Sequence, residues 1–515
     1  MVSKAQVEEL WEKRKNLSDS ESGRKKQHAA GKLTARERIE LLTDPGSFYE
    51  IDAFMESFPP KFGKLKGKTT TRQAVITGVA QIQGRLVYLY AQDFTVEAGS
   101  LGERESRKMG KVLDLSMQNG APFIGLNDSG GARVSEGVRN FAFWNIFQRN
   151  VMASGVVPQI FAILGPCAGG AVYSPALGDF IFMVKDISAM FLTGPAVVKA
   201  VTGEEVTKEK LGGPPVQTQI SGVAHFLTAT EKECMEMIKE LLSYLPSNNR
   251  QKPPRVETGD DPLREDESLS DLVPENPKKS YDMRQVVKRV VDNGTFFEVH
   301  RGFAANMLTG FARLDGDTVG IVANQPRVFA GCLDIHASDK AARFIRFCDA
   351  FNIPLITLVD VPGYMPGLEQ EYGGIIRHGA KMLFAYAEAT VPKITVVLRK
   401  AYGGGISGMC ASKERGADEL LAWPSAEIAA LGAEGAVEIF FPDEMKTAAD
   451  PEKRRQELIS EFREQVTSVY ALAATGRIDR IIDPRETRPA LIRALRTHLT
   501  KKDSIPWKKH GNIPL

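Results

Sequence analysis

The chain repeats itself, and that limits its possible folds more than any other feature. Thr77 to Ala80 reappears as Thr309, Gly310, Phe311 and Ala312, 232 positions later. At the same spacing Gly84 meets Gly316, Pro122 meets Pro354, Asp128 meets Asp360 and Gly131 meets Gly363. The spacing then becomes 234, so that Val157 and Pro158 meet Val391 and Pro392, and Gly169 and Gly170 meet Gly403 and Gly404. A two-residue insertion in a loop accounts for the change. Matches that fall on glycine, proline and core positions over so long a stretch mark two diverged copies of one domain. Between them the chain is rich in Asn, Pro, Gly and acidic residues, which reads as an exposed linker. The expected organisation is therefore a first domain at 1–246, a linker at 247–279 and a second domain at 280–515.

Each copy alternates short apolar runs with helical spacing. Leu86 to Ala91, Phe123 to Leu126, Gln159 to Leu164 and Phe180 to Val184 read as strands, with Val319 to Ala323, Leu355 to Val359 and Ile394 to Leu398 in the second copy. Glu103 to Gln118 and Lys340 to Phe351 read as helices. The pattern is a repeated β-β-α winding, an α/β architecture. Residues 1–43 are basic and helical in character, ending at the turn signal Asp44-Pro45-Gly46. Residues 502–515 read as an extended tail.

Bulk properties exclude several classes. The 515 residues carry 66 basic and 64 acidic side chains, a balance that speaks against nucleic acid as a partner. The five cysteines, Cys167, Cys234, Cys332, Cys348 and Cys410, are far apart, so neither a disulfide framework nor a zinc site is expected. Reduced thiols fit a cytoplasmic or matrix-like compartment. The longest apolar region, Val156 to Val184, is interrupted by Pro158, Pro166 and Pro175, so no membrane span is expected. The first residues show no secretory signal.

Chemistry is expected at two glycine-rich strand ends. Asn127 to Arg133 and Gly165 to Ala171 each follow an apolar strand, and glycine lets successive main-chain N–H groups turn towards one point. Two such loops can supply the converging donors of an oxyanion hole, where one donor stabilises a transition state by ~3 kcal/mol. The second copy offers Asp360 to Gly363 and Lys400 to Gly405, with Pro362 unable to donate. The alternative is that these glycines only permit close packing. Other signals are weaker. Gly63 to Thr69 has one residue too few for a phosphate loop. Ser129 is not in a nucleophile elbow. The histidines show no metal-ligand spacing, so no metal is expected. Arg24, Lys25, Lys26, Lys32, Arg36 and Arg38 read as a solvated helix face rather than a phosphate site.

Longer motifs carry a family resemblance. They are Ala35 to Leu42 (ARERIELL), Gln92 to Thr95, Gly125 to Arg133 (GLNDSGGAR), Gly165 to Leu177 (GPCAGGAVYSPAL), Phe344 to Pro354 (FIRFCDAFNIP), Gln370 to Lys381 (QEYGGIIRHGAK) and Trp507 to Leu515 (WKKHGNIPL). Together they resemble the carboxyltransferase (β) subunit of biotin-dependent acyl-CoA carboxylases of the propionyl-CoA carboxylase β type, over essentially the whole chain. The resemblance implies two tandem crotonase-like domains in a homo-hexameric core of an α6β6-like complex. Active sites would lie between the N-domain of one subunit and the C-domain of another. It implies an acyl-CoA thioester as substrate and biotin borne on a separate biotin carboxylase/biotin carboxyl carrier subunit, the carboxyl group moving to the α-carbon through an enolate.

By the same resemblance Gly169 and Gly170 hold the acyl-CoA carbonyl, and Gly404 and Gly405 hold the biotin ureido oxygen. Gly130, Gly131, Ala132, Phe143, Ala171 and Ser407 would contact the acyl-CoA, and Gly363, Tyr364 and Ile406 the biotin. One departure stands out. Where the propionyl type has Tyr-Asp, this chain has Ile406-Ser407, so a roomier or less polar pocket and a substrate other than propionyl-CoA are expected. The same half-reaction run backwards, in a sodium-pumping acyl-CoA decarboxylase, is the close alternative. A non-catalytic CoA-binding scaffold and a crotonase-like hydratase are the remoter ones.

Overall fold

The computed structural model describes residues 2–57 and 72–515, apart from the side chains of residues 140–144 and 415. The stretch Gly63 to Thr69 lies outside the described residues. The chain divides into two compact units, Met1–Gln251 and Lys252–Leu515.

The first unit is built on β1 (Tyr49–Ile51), β2 (Val75–Ile82), β3 (Arg85–Gln92), β4 (Phe123–Ser129), β5 (Gln159–Ala168), β6 (Phe180–Val184), β7 (Ala189–Phe191) and β8 (Phe226–Thr228). They lie in the order β1-β2-β3-β4-β5-β6-β8, with β7 on β5. The hairpin β2–β3 is antiparallel, and from β3 to β8 every pair is parallel. The helix Glu103–Asn119 makes the parallel crossover from β3 to β4. It buries Met109, Val112, Leu113 and Ser116, one helical face, and stops at Gly120, which takes a left-handed φ of 60°.

The second unit repeats the plan with β9 (Phe297–Val299), β10 (Met307–Leu314), β11 (Asp317–Asn324), β12 (Leu355–Val361), β13 (Lys393–Tyr402), β14 (Glu419–Ala422), β15 (Glu427–Ala429) and β16 (Arg480–Ile481). Their order is β16-β14-β13-β12-β11-β10-β9, with β15 on β13. The crossover helix is Ile335–Ala350, capped by Asp334 and burying Ala341, Phe344, Ile345 and Cys348. β2 to β5 and β10 to β13 begin and end at the two spacings read from the sequence. The strands outrun their expected ends, however. β5 continues through Ala168 and β13 through Tyr402, so much of each expected loop is extended strand.

The duplication also reaches further back than the sequence match suggested. The helix Ala35–Leu42 answers to Met283–Val290. Arg36 pairs with Glu50 at 3.0 Å, and Arg284 with Glu298 at 2.6 Å. The Asp44 carboxylate accepts the N–H groups of Gln83 and Gly84, as Asp292 does those of Asp315 and Gly316. Residues 247–279 are more than an exposed linker. The helix Ser268–Leu272 places Leu269 at 1% exposure in the core of the second unit, with Val273 beside it. Two apolar anchors within a charged, proline-rich stretch are hard to tell from chance, which is why composition misread it.

Candidate active site

In each unit the site is prepared by a break in the sheet. β4 pairs with β5 regularly up to Asn127–Ile163, and the pairing resumes at Ser129–Cys167. Asp128 therefore faces a bulge formed by Leu164, Gly165 and Pro166. The second unit has the same break between Val359–Val397 and Val361–Ala401, with Asp360 facing Leu398, Arg399 and Lys400. Such bulges bend a strand and re-aim its continuation. Beyond them β5 switches from β6 to β7, and β13 from β14 to β15.

Each of these strands runs out into a glycine turn. Gly169 (φ 61°) and Gly403 (φ 53°) are equivalent and take backbone conformations that side chains with a Cβ avoid. Gly169 opens a short 3₁₀ turn, Gly169–Val172, and Gly403 precedes the helix Gly404–Gly408; neither has a side-chain cap. The first N–H groups of such turns have no acceptor inside them. Gly403 spends its own N–H on the carbonyl of Ala429 at 3.0 Å, which leaves Gly404 and Gly405 as the leading donors of the second unit. Gly170 and Ala171 occupy the matching places in the first. The expected pairs, Gly169–Gly170 and Gly404–Gly405, are thus out of step by one residue.

The neighbouring loop plays a different part from the one expected of it. Gly130 gives its N–H to Ala98 O at 2.8 Å, and Gly131 gives its N–H to Ser129 Oγ at 3.0 Å. Neither N–H is left for a ligand. Gly131 instead makes room, because a Cβ there would lie 2.8 Å from Ala168 O. The loop is held by Arg133, whose guanidinium meets Glu97, Glu105 and Glu136 at 2.9–3.0 Å. Ala132 is half-buried beside it. Phe143 ends a 3₁₀ stretch, Val134–Phe143, and its side chain lies outside the described residues.

In the second unit Tyr364 is a wedge. A Cβ on Gly379, Gly404 or Gly408 would come within 2.7–3.0 Å of its ring or hydroxyl. Packing is therefore one reason for glycine at 404 and 408. A Cβ on Gly405 would lie 2.9 and 3.0 Å from the two γ-carbons of Val361 and 3.3 Å from the Cα of Gly363, which puts these two glycines side by side. Ile406 and Ser407 are half-buried on the same short helix.

The nearest titratable side chains are held in neutral or engaged forms. Burial pushes the Cys167 thiol up to about 12 and the Tyr364 hydroxyl up to about 12, so neither ionises near neutrality. Burial lowers the Lys400 ammonium, which donates to Pro277 O at 2.6 Å. The basic residues of the N-terminal helices also depart from expectation. Lys32 and Arg38 do not lie on a solvated face. Both are buried on Asp128, at 2.8 and 2.9 Å, and Arg38 also pairs with Glu231 at 2.7 Å. Sequence reasoning missed this cluster, because its members are far apart in the chain.

A duplicated, mostly parallel sheet with a bulge and a glycine turn at each strand end defines a tandem crotonase-like α/β protein. The carboxyl transferase domain model matches residues 26–513, and the chain belongs to that family. It is 55% identical to a propionyl-CoA carboxylase carboxyltransferase subunit of Haloferax mediterranei over all of both chains. It is 55% identical to a methylmalonyl-CoA decarboxylase subunit alpha of Veillonella parvula, over 95% of this chain and 94% of that one. A crystal structure of transcarboxylase 12S, described as a hexamer with methylmalonyl-coenzyme A and methylmalonic acid bound, superposes with a TM-score of 0.96 at 50% identity, covering 100% of this chain and 99% of that one. Among the described residues no helix is long and apolar enough to cross a membrane.

Proposed function

We propose that the chain is the carboxyltransferase subunit of a biotin-dependent acyl-CoA carboxylase, acting on a short-chain acyl-CoA as a homo-hexameric core. The observation that carries this reading is the matched pair of main-chain donors, Gly170 with Ala171 and Gly404 with Gly405, each at an uncapped turn beyond a bulge. Donors fixed by a sheet stabilise an oxyanion without reorganising as charge develops. Loss of the α-proton of an acyl-CoA puts that charge on the thioester oxygen, which Gly170 and Ala171 suit. Gly404 and Gly405, with the cradle of Gly363 and Tyr364, suit the ureido oxygen of biotin, since a Cβ in that cradle would fill it. Biotin, borne on a separate carrier subunit, supplies the carboxyl group. The residues of this chain hold the two oxygens and fix the approach of the α-carbon. The first-unit loop Gly130 to Ala132 forms a wall of the acyl site.

The relatives' names point to propionyl-CoA and to its α-carboxylated product, methylmalonyl-CoA, as the first substrates to test. Ser407 and Ile406 favour a wider acyl range. The second reading, decarboxylation, is favoured by the Veillonella parvula relative. The deciding experiment isolates the chain with its native partners and measures ATP- and bicarbonate-dependent carboxylation over propionyl-, acetyl- and butyryl-CoA. The purified chain is assayed alongside for biotin-dependent decarboxylation of methylmalonyl-CoA. Carboxylation supports the first reading. Decarboxylation without ATP-dependent carboxylation supports the second. Neither activity from an intact complex overturns both. We assign the protein to the cytoplasm or a matrix-like compartment, in keeping with cysteines that are reduced thiols.

A further inference from the structure

Both bulges contain the same buried group, supported in two different ways. Asp128 and Asp360 are at most 1% exposed, and each faces three bulge residues that drop out of the β4–β5 or β12–β13 ladder. In the second unit the bulge supplies its own cation. Arg399 donates to Asp360 through Nε at 3.0 Å and lies 2.9 Å away through its second terminal nitrogen, while the Lys400 N–H reaches the other carboxylate oxygen at 3.2 Å. The Arg399 guanidinium lies 5.2 Å from the Tyr281 ring. At the matching place in the first unit stands Gly165. A Cβ there would be 2.0 Å from Asp128 Oδ1 and 3.0 Å from Lys32 Nζ. The cations come instead from the N-terminal segment. Lys32 Nζ donates to both carboxylate oxygens at 2.9 and 2.8 Å and sits 4.2 Å from the Phe94 ring. Arg38 donates to Asp128 at 2.9 Å and to the bulge carbonyl of Leu164 at 2.8 Å.

We propose that these are two independent locks on the donor turns: Lys32 and Arg38, through Asp128, position Gly170 and Ala171, and Arg399, through Asp360, positions Gly404 and Gly405. The assignment rests on the functional reading above. The exits of β5 and β13 are paired with β7 and β15, but across the break itself β4 and β12 make no ladder contact with the bulge, and there the charge-assisted bonds to Asp128 and Asp360 set where each exit starts. The turns begin only four residues beyond Gly165 and Arg399, too short a run to absorb a shift of the bulge. The three named cations are positioning residues. Because the locks share no side chain, each governs one ligand.

The test uses the full-length chain with Lys32→Met and, separately, Asp360→Asn. Both are chosen to fold: Arg38 remains on Asp128 in the first, and in the second Arg399 keeps the carbonyls of Pro274, Asn276 and Lys279 at 3.0–3.3 Å. Arg399→Lys replaces Asp360→Asn if that variant does not fold. Propionyl-CoA binding is followed by calorimetry and free biotin binding by saturation-transfer NMR, with melting curves recorded alongside. Lys32→Met is expected to weaken propionyl-CoA about tenfold and biotin by less than about twofold, and Asp360→Asn to do the reverse. Equal weakening of both ligands by both variants, or a lowered melting temperature with unchanged affinities, overturns the assignment. If the unaltered chain binds neither ligand, the functional reading falls and the assignment with it.

Discussion

Gly405→Ala separates a donor from a mere packing glycine. The new Cβ would sit 2.9 and 3.0 Å from the γ-carbons of Val361 and 3.3 Å from the Cα of Gly363. Carbon atoms pack at about 3.5–4.0 Å, so the turn must retreat by roughly 0.5–1 Å. Overpacking of this kind costs about 1–3 kcal/mol of stability. Catalysis is more sensitive, because a donor displaced by about 1 Å can cost ~100-fold in rate. The matching position in the first unit already carries a Cβ, at Ala171, so the turn itself tolerates alanine. The obstacle is Val361, which is fully buried.

The assay is biotin-dependent decarboxylation of methylmalonyl-CoA. Gly405→Ala should lower kcat by about 100-fold. Adding Val361→Ala removes both offending methyl groups and should restore at least about tenfold of that loss, although Val361→Ala alone lowers stability by roughly 1–3 kcal/mol. Full activity in Gly405→Ala would refute a donor role for this residue. A double variant no better than the single one would refute the clash as the cause.

Two further outcomes can be measured. Burial lowers the Lys340 ammonium to about 7, while its Nζ donates to the carbonyls of His300, Phe303 and Ala304. The unfolded chain binds this proton up to about pH 10.5 and the folded chain only to about pH 7, so this residue makes stability rise with pH between those limits. Lys340→Met should flatten that rise in denaturant melts, and an unchanged slope would contradict the assignment. Ser407→Asp places a carboxylate beside the turn at Gly404 and Gly405 and should raise the kcat/KM preference for propionyl- over butyryl-CoA by about tenfold, in the range of one methylene's discrimination; an unaltered ratio would remove residue 407 from the pocket.

The strands and crossover helices were legible because their signal is local: periodic burial and the glycines and prolines that end it. The duplication was legible wherever glycine, proline or a core residue was kept, but not between Ala35–Leu42 and Met283–Val290, where only the pattern of Arg36, Asp44 and Glu50 survives against Arg284, Asp292 and Glu298. Lys32 and Arg38 were misread because a run of basic residues on a helix gives no sign of a carboxylate 90 or more positions away. One signal could have found them. Asp128 and Asp360 match at a constant spacing, yet the residue facing them is Gly165 in one copy and Arg399 in the other. A buried carboxylate kept in both copies needs a cation in both, so the first must draw one from elsewhere.

The same logic says where specificity must reside. Main-chain donors are alike in both units and cannot tell a thioester from a ureido group. Discrimination has to come from side chains that share the turn, and there the copies diverge: Ala171, Val172 and Tyr173 against Gly405, Ile406 and Ser407. Tyr173 is 46% exposed, whereas Ser407 is small and half-buried. The first turn therefore carries a large ring, packed edge-on against Phe147 with 5.7 Å between centroids. The second presents a bare backbone beside the Tyr364 wedge, and a missing Cβ is what a planar group needs in order to approach the donors closely. Gly404 and Gly408 seat Tyr364, since a Cβ on either would come within 3.0 Å of its ring or hydroxyl, so the proposed donor role of Gly404 depends on the same missing Cβ that packs the wedge.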